Sequence, residues 1–230
     1  MAILDFLFPK KCVLCKKIGS FLCPDCFSHL SFDVKSLCLV CNKPSFNGIT
    51  HPSCKSKYSI DGCFSALSYN KTAKKLIYNF KYKPYLTELK QVLGDLFYES
   101  LIQNEELMRQ IGNSVWYMVP IPLSKLKLRK RGYNQSEILA KELAKKLNFP
   151  IHNLLNRIRD TKTQVGLKVE ERRLNIKNAF QVSSQELVVS SENVFLVDDL
   201  VTTGSTLLEA AKVLRKAGVK KVIGLTLARD

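Results

Sequence analysis

The amino-acid sequence predicts an α/β fold over residues 58–230, a mainly parallel sheet flanked by helices, preceded by a small cysteine-rich unit over residues 1–57. Short apolar runs have the length and composition of buried strands, and amphipathic stretches alternate with them as in βαβ crossovers. Seven of the eight cysteines lie before residue 55. A chain of 230 residues is long enough for one such domain plus an appendage. The predicted strands cover residues 115–122, 194–197 and 222–227.

The most informative segment is VFLVDDLVTTGST, residues 194–206. Four apolar residues lead into two adjacent carboxylates, and a hydroxyl-rich loop centred on Gly204 follows. A helix predicted over residues 206–217 places this loop at a helix N-terminus, where unpaired N–H groups and the helix dipole favour a phosphate. The candidate phosphate-binding residues are Thr202, Thr203, Gly204, Ser205 and Thr206.

Asp198 and Asp199 fall at the carboxyl end of this strand, the edge where open α/β sheets bind ligands. Carboxylates that faced a phosphate would repel it, so we expect them to accept hydrogen bonds from vicinal ribose hydroxyls or to hold a divalent cation. An ordinary polar turn is the alternative, since Asp and Thr are common turn and N-cap residues.

The same segment resembles the phosphoribosyl pyrophosphate (PRPP) motif of type I phosphoribosyltransferases. That resemblance implies that Asp198 and Asp199 bind the ribose and serve as catalytic residues, and that residues 202–206 bind the 5′-phosphate. It also implies magnesium on the diphosphate of PRPP. The motif lacks the Lys of a Walker A loop and the three spaced glycines of a dinucleotide-binding loop.

The N-terminal cysteines occur in pairs with a two-residue gap, which suits ligation of one tetrahedral zinc ion by two pairs. Four pairs predict two zinc ions. The simplest assignment gives one ion Cys12, Cys15, Cys23 and Cys26, and the other Cys38, Cys41, His51 and Cys54. An interleaved pairing stays open. Disulfides are the alternative, but the N-terminus makes a poor signal peptide, so we expect a reducing, cytoplasmic location. Cys63 lies outside the pattern and is interpreted as a buried small apolar residue.

The net charge is +16, and residues 120–180 hold fifteen basic and five acidic residues. Concentrated positive charge suits a polyanion such as pyrophosphate or nucleic acid, although a solvated basic surface is the alternative. Residues 129–132 are predicted to form a loop of cations before a helix capped by Asn134 and Glu137, with Arg131 as a ligand of the diphosphate. No apolar run is long enough to span a bilayer.

The polar stretch 157–180 suits a mobile flap over the site, and its pattern is similar to that of the ComF competence family. The segments RKRGYNQ (129–135), VPIP (119–122) and FKYK (80–83) match the same family. The resemblance covers essentially the whole chain and implies an N-terminal double zinc ribbon joined to a type I phosphoribosyltransferase domain. His51 stands where a cysteine is expected, and histidine is a competent zinc ligand. The matching flap residues are Arg157, Arg159, Thr161, Gln164, Leu167, Arg172, Asn175, Ala179 and Phe180.

Members of this family are implicated in handling single-stranded DNA that enters the cytoplasm during natural transformation. The resemblance therefore implies a PRPP- and zinc-binding protein with single-stranded DNA and uptake proteins such as a helicase as partners. An active phosphoribosyltransferase acting on a nucleobase or a related nitrogen compound is the alternative. A scaffold with an empty sugar site is a third hypothesis. The sequence identifies neither an acceptor nor a general base.

Overall fold

The computed structural model of the chain describes residues 9–82, 89–112, 114–160, 169–183 and 192–230. The described strands are β1 (Gly62–Ser68), β2 (Trp116–Pro120), β3 (Leu155–Arg157), β4 (Phe180–Val182), β5 (Asn193–Val201) and β6 (Lys221–Arg229). The described helices are α1 (Pro24–Phe27), α2 (Lys71–Tyr82), α3 (Leu89–Ile102), α4 (Glu105–Ile111), α5 (Lys125–Arg131), α6 (Gln135–Leu147), α7 (Val169–Ile176) and α8 (Ser205–Lys216). Short 3-10 turns occupy Phe46–Gly48 and Pro52–Cys54.

Four parallel strands form the central sheet in the order β1-β6-β5-β2, so the predicted parallel α/β fold is confirmed. Residues 194–197 of β5 are all buried because both faces of the sheet are covered. On one face, Phe195 stacks on Trp116 of β2 at a ring-centroid distance of 4.2 Å. Helices α2, α3, α4 and α6 contribute to the core on that face. The other face packs against α8 and the β3–β4 hairpin.

Strand β5 is longer than the sequence predicts. It runs on through the two carboxylates to Val201, because β6 continues the ladder alongside it with Asp198 opposite Thr226 and Val201 opposite Arg229. Strand β2 is shorter than predicted and ends at Pro120, and Ile121 then donates its backbone N–H to the carbonyl of Val197. Helix α8 begins one residue earlier than predicted, at Ser205.

The prediction of a cation loop over residues 129–132 is wrong, because Lys125–Arg131 forms helix α5. The Ser124 hydroxyl accepts from the backbone N–H of Lys127 at its start, and Gly132 ends it at a φ of 79°. Asn134 then caps α6 as predicted, since its side chain accepts from the Ser136 N–H. Glu137 bonds to Lys141 rather than back to the cap, so the predicted capping pair is only half formed.

The cysteine-rich unit packs on both faces of the sheet. Val13 and Leu14 join the core that contains α2, where the Leu14 carbonyl accepts from Lys75 Nζ at 2.5 Å. Leu39 joins the core that contains α8. The sheet is therefore held between two parts of the N-terminal unit. Across the described part of the chain, every helix is too short or too polar to cross a membrane.

Candidate functional site

The turn between β5 and α8 is closed by a glycine that no other residue can replace without strain. Gly204 has a φ of +71°, and a Cβ placed on it would lie 2.3 Å from Leu39 Cδ2. Helix α8 starts at the next residue, so its first backbone N–H groups point out of the turn without helical partners. We call residues 202–205 the Gly204 loop. Its position at a helix N-terminus gives it the unpaired N–H donors that an anion would need.

The hydroxyls of the Gly204 loop are held by side chains. Thr202 Oγ1 accepts from Arg172 Nη1 at 2.7 Å, which ties α7 to the loop. Thr203 Oγ1 lies 2.8 Å from Ser205 Oγ. Thr206, in the first turn of α8, lines the same cavity as the two acids. The structure thus brings the predicted hydroxyl residues together at one helix start.

Asp199 is buried, with 4% of its surface exposed, and forms an ion pair with Lys81. Lys81 Nζ lies 2.6 Å from Asp199 Oδ2. Burial on its own would lower the pKa of Lys81, but the charge and hydrogen bond of Asp199 outweigh burial and the pKa is raised. Lys81 lies in the last turn of α2, and Tyr133 fixes that turn by donating to the Phe80 carbonyl.

Asp198 has different hydrogen-bond partners from Asp199, although both acids line the same cavity. Ser136 Oγ donates to Asp198 Oδ1 at 2.8 Å, and the backbone N–H of Asp199 donates to the same oxygen at 2.9 Å. Burial, and then the charge of Asp199, raise the pKa of Asp198 to about 7 against the opposing effect of Ser136 and Lys81. Asp198 is consequently poised to gain or lose a proton near neutral pH.

The two acids share a cavity of about 240 Å³, which we call the acid-pair cavity. Arg131 lines it, with Nη1 2.8 Å from Gln135 Oε1 and its guanidinium 5.2 Å from the centre of the Tyr82 ring. Lys127 lines it as well. The other cations of the predicted cluster, Arg129 and Lys130, are exposed on α5 and are not among the described lining residues.

Several of the residues in this cavity were given no role by sequence reasoning. Lys81 and Ser136 lie far from Asp198 along the chain, and only the match of FKYK and RKRGYNQ to a family pattern pointed to their segments. Arg157 and Arg172, two of the flap residues that match the family pattern, also line the cavity. Of the other flap positions, Thr161, Gln164 and Leu167 lie outside the described residues.

The N-terminal ligands form two groups. In each group one ligand atom per residue lies within 4.8 Å of the others. Four ligands around zinc at about 2.3 Å stand roughly 3.8 Å apart, and the measured Cys15 Sγ to Cys23 Sγ distance is 3.6 Å. Both groups therefore fit tetrahedral zinc. The first cluster is Cys12, Cys15, Cys23 and Cys26, and the second cluster is Cys38, Cys41, His51 and Cys54.

The two clusters repeat the same local turn. In the first, the Cys12 N–H donates to Lys17 and Lys16 adopts a positive φ of 71°. In the second, the Cys38 N–H donates to Lys43 and Asn42 has a φ of 58°. Such turns point successive cysteine sulfurs toward one ion.

His51 is oriented for ligation through one particular nitrogen. Its Nδ1 lies 3.3 Å from Cys41 Sγ, while its Nε2 lies 2.9 Å from the carbonyl oxygen of Pro44. The carbonyl can only accept, so Nε2 carries the proton and Nδ1 keeps its lone pair for a metal. Cys63 belongs to neither cluster; it is buried, and burial raises the pKa of its thiol to about 11.

Comparison with known proteins agrees with this architecture. A model of the phosphoribosyl transferase domain matches residues 134–230, and a model of the double zinc ribbon domain matches residues 3–56. Competence protein F of Haemophilus influenzae is 31% identical over 226 residues, which cover 91% of this chain and 97% of that protein. The chain belongs to the ComF family of competence proteins.

Other relatives of this ComF protein differ in how much of the chain they share. Competence protein ComFC of Bacillus subtilis is 27% identical over 226 residues, covering 96% of this chain and 85% of that protein. DNA utilization protein YhgH of Escherichia coli K12 is 38% identical over 106 residues, covering 46% of this chain and 45% of that protein. The ComF architecture places both clusters in the zinc ribbon domain and the Gly204 loop in the phosphoribosyl transferase domain.

Proposed function

We propose that this ComF protein binds PRPP with magnesium in the acid-pair cavity and handles single-stranded DNA during natural transformation. The observation that carries the proposal is the convergence of the paired acids, Thr202 of the Gly204 loop and Arg131 on one cavity. No single one of these features distinguishes a phosphoribosyl ligand from other anions. Together they offer acceptors for a diol and donors for two separate phosphates.

The charges around the cavity favour one orientation of the proposed ligand. The 5′-phosphate lies on the N–H groups at the start of α8, and the two ribose hydroxyls donate to Asp198 and Asp199. The diphosphate lies toward Arg131, and magnesium offsets its remaining charge. Lys81, now paired with Asp199 at 2.6 Å, is within reach of the same anion.

Titration calorimetry with PRPP and magnesium tests this site directly. We expect binding by the zinc-loaded protein and a loss of at least tenfold in affinity for Asp199→Asn, which keeps the shape of the side chain and removes its charge. Asp95→Asn changes an exposed acid on α3 and should bind like the parent. Absence of measurable heat from the parent protein at high PRPP concentration would remove the proposal.

The DNA part of the proposal is supported by charge and by the names of the relatives. The protein carries a net charge of +16, and α5 exposes Arg129 and Lys130 beside the acid-pair cavity. A single strand neutralised by such cations releases counterions, so its affinity falls steeply with salt. Competence and DNA utilization proteins among the relatives point to the same substrate.

Fluorescence anisotropy with a labelled oligothymidylate, measured over a series of salt concentrations, tests DNA binding. We expect the double variant Arg129→Gln, Lys130→Gln to reduce the slope of log affinity against log salt by about one to two. The charge-matched control Lys141→Gln, Lys145→Gln changes two exposed lysines of α6. An equal reduction of the slope in the two double variants, or a DNA affinity that does not change with salt, would count against a DNA-binding site on α5.

An active phosphoribosyltransferase is the second candidate, and one observation favours it. A larger cavity of about 770 Å³ shares Leu123 and Arg157 with the acid-pair cavity and is lined by Asn134, Asn153 and Asn156. A nitrogen acceptor held there would face the sugar. Pyrophosphate release from PRPP across a panel of nucleobases is the assay; no turnover with any acceptor, despite PRPP binding, would leave the binding role alone.

From the family resemblance we also propose a cytoplasmic location and protein partners in the uptake machinery, such as a helicase. The domain boundary is proposed near residue 57. Co-purification of tagged protein from competent cells, compared with cells that express Asp199→Asn, would separate partners that need the sugar site from partners that need the ribbons alone.

A further inference from the structure

A second polar cavity is lined by residues of β1 and β6 rather than by the paired acids. It measures about 230 Å³ and opens between the N-terminal unit, strand β1 and the end of α3. None of its described lining residues lines the acid-pair cavity. Its polar walls include Lys35, Asn47, Ser65, Gln103, Asn104 and Arg229, and we call it the Arg229 cavity.

Arg229 is the unusual group in this cavity. The residue is 5% exposed, and the only hydrogen bond found for its side chain within the described chain runs from Nη1 to the Leu37 carbonyl at 3.4 Å. Its Nε is buried and has no hydrogen-bond partner among the described residues. A buried guanidinium with an unused donor is costly unless an acceptor, and preferably a charged one, is supplied.

The protein supplies no such charge in the described walls. No acid is found among the described residues that line the Arg229 cavity, whereas Lys35 adds a second cation at its rim. Cys63 is close, but with a pKa of about 11 its thiol is neutral. Cys38 also lies near, and as a ligand of the second cluster it would share its charge with the metal. Burial lowers the pKa of Arg229, as expected for a cation short of a partner.

We propose that the Arg229 cavity binds a phosphate group at a site separate from the acid-pair cavity. The Nε edge of a guanidinium offers the paired donors that a phosphate accepts, and Ser65 and Asn104 supply neutral donors around it. The volume fits a phosphate and part of the molecule that carries it, and is below the usual size of a site for a whole cofactor. A small phosphorylated molecule and a nucleic-acid strand both carry this group.

Crystals of the zinc-loaded full chain soaked in tungstate, a heavy analogue of phosphate, test the site by position. We expect an anomalous peak within hydrogen-bonding distance of the Arg229 guanidinium. Arg229→Gln should remove that peak, whereas Lys57→Gln, which changes an exposed lysine of the N-terminal unit outside the cavity, should keep it. No peak in the parent, or a peak that survives Arg229→Gln, overturns the proposal.

If Arg229→Gln fails to fold, Arg229→Lys keeps the charge without the paired donors and should lower tungstate occupancy at least severalfold. Competing ligands distinguish the source of the phosphate. Displacement of tungstate by ribose 5-phosphate assigns the site to a small phosphorylated molecule. Displacement of tungstate by a short oligothymidylate assigns it to single-stranded DNA. Displacement by neither identifies an adventitious ion only and overturns the proposal.

Discussion

Leu39 of the zinc ribbon lies directly against Gly204 at the start of α8. A Cβ on Gly204 would stand 2.3 Å from Leu39 Cδ2, and Leu39 itself is 2% exposed. Leu39 lies between Cys38 and Cys41, two ligands of the second cluster. Metal ligation therefore fixes the backbone on both sides of Leu39, and the Leu39 side chain packs against the Gly204 loop.

Leu39→Ala should weaken PRPP binding while the zinc content stays at two per chain. The substitution leaves a cavity next to the Gly204 loop, so we expect the free energy of unfolding to fall by about 2–4 kcal/mol. We also expect PRPP affinity to fall further than in a variant that loses the same stability at a distant site. Calorimetry and metal analysis measure the two effects. Leu30→Ala truncates a buried leucine in the core on the opposite face; equal affinities for the two variants would contradict the coupling.

PRPP binding should release a proton near neutral pH. Burial first, and the charge of Asp199 second, raise the pKa of Asp198 to about 7, and the proposed hydrogen bond from a ribose hydroxyl favours the ionised carboxylate, which has no proton of its own on either oxygen. Affinity should therefore rise from pH 6 to pH 8 and level off above. Calorimetry in buffers of different ionisation enthalpy measures the released proton. An affinity that is flat over this range in the parent, or that keeps its slope in Asp198→Asn, would argue against the role of Asp198.

Asp198→Asn should make the ligand-free protein more stable at high pH. The pKa of Asp198 is raised in the folded protein to about 7, so its stabilising proton is fully present below about pH 4 and is lost as the pH rises through 7. The amide still accepts from Ser136 and carries no charge at any pH. Urea denaturation should show a gain of about 2–4 kcal/mol above pH 8 that shrinks as the pH falls from 7 toward 4. A constant difference across this range would point to packing instead.

Arg172→Gln should weaken PRPP binding much more than Arg173→Gln. Arg172 Nη1 donates to Thr202 Oγ1 at 2.7 Å, whereas Arg173, the next residue of α7, is exposed. A charged hydrogen bond of this kind is worth about 1.5–3 kcal/mol, which corresponds to a loss of about tenfold to a hundredfold in affinity. Direct titration with PRPP compares the pair. Similar affinities for the two variants would show that α7 only covers the loop.

His51→Cys should retain zinc, and His51→Ala should lose one ion per chain. The ring presents Nδ1 toward Cys41 because Nε2 donates to Pro44 at 2.9 Å. A cysteine at this position supplies a sulfur ligand of the kind already present in both clusters. Metal analysis after exhaustive dialysis distinguishes the variants. Two ions retained by His51→Ala would exclude the histidine from the second cluster.

Much of the architecture was predictable because it rests on local patterns. The buried run in β5, the helix after Gly204 and the paired cysteines each follow from short-range periodicity or spacing. Helix α5 was missed because it buries no side chain, and its seven residues show only a dense run of cations. Nothing in such a run separates a short surface helix from a loop.

The composition of the acid-pair cavity was less predictable because its residues come from distant segments. The contacts of Lys81 with Asp199 and of Ser136 with Asp198 join residues that are separated by more than sixty positions. Each depends on the strand order β1-β6-β5-β2, which the sequence does not specify. The surroundings of Arg229 were also unpredictable, because Leu37 and the end of α3 are brought beside it only by the fold.

Pairing of β1 with β6 has a consequence for biosynthesis. Gly62 lies opposite Ile223, so β1, the first of the described strands, gains its strand partner β6 only when the last of them is made. Zinc can order both ribbons early, and Val13 and Leu14 can pack against α2 once it is made, but the edge of β1 that pairs with β6 stays open until residues 221–229 are translated. A nascent chain stalled before that point would present an open strand edge, the kind of surface that chaperones bind and that otherwise aggregates.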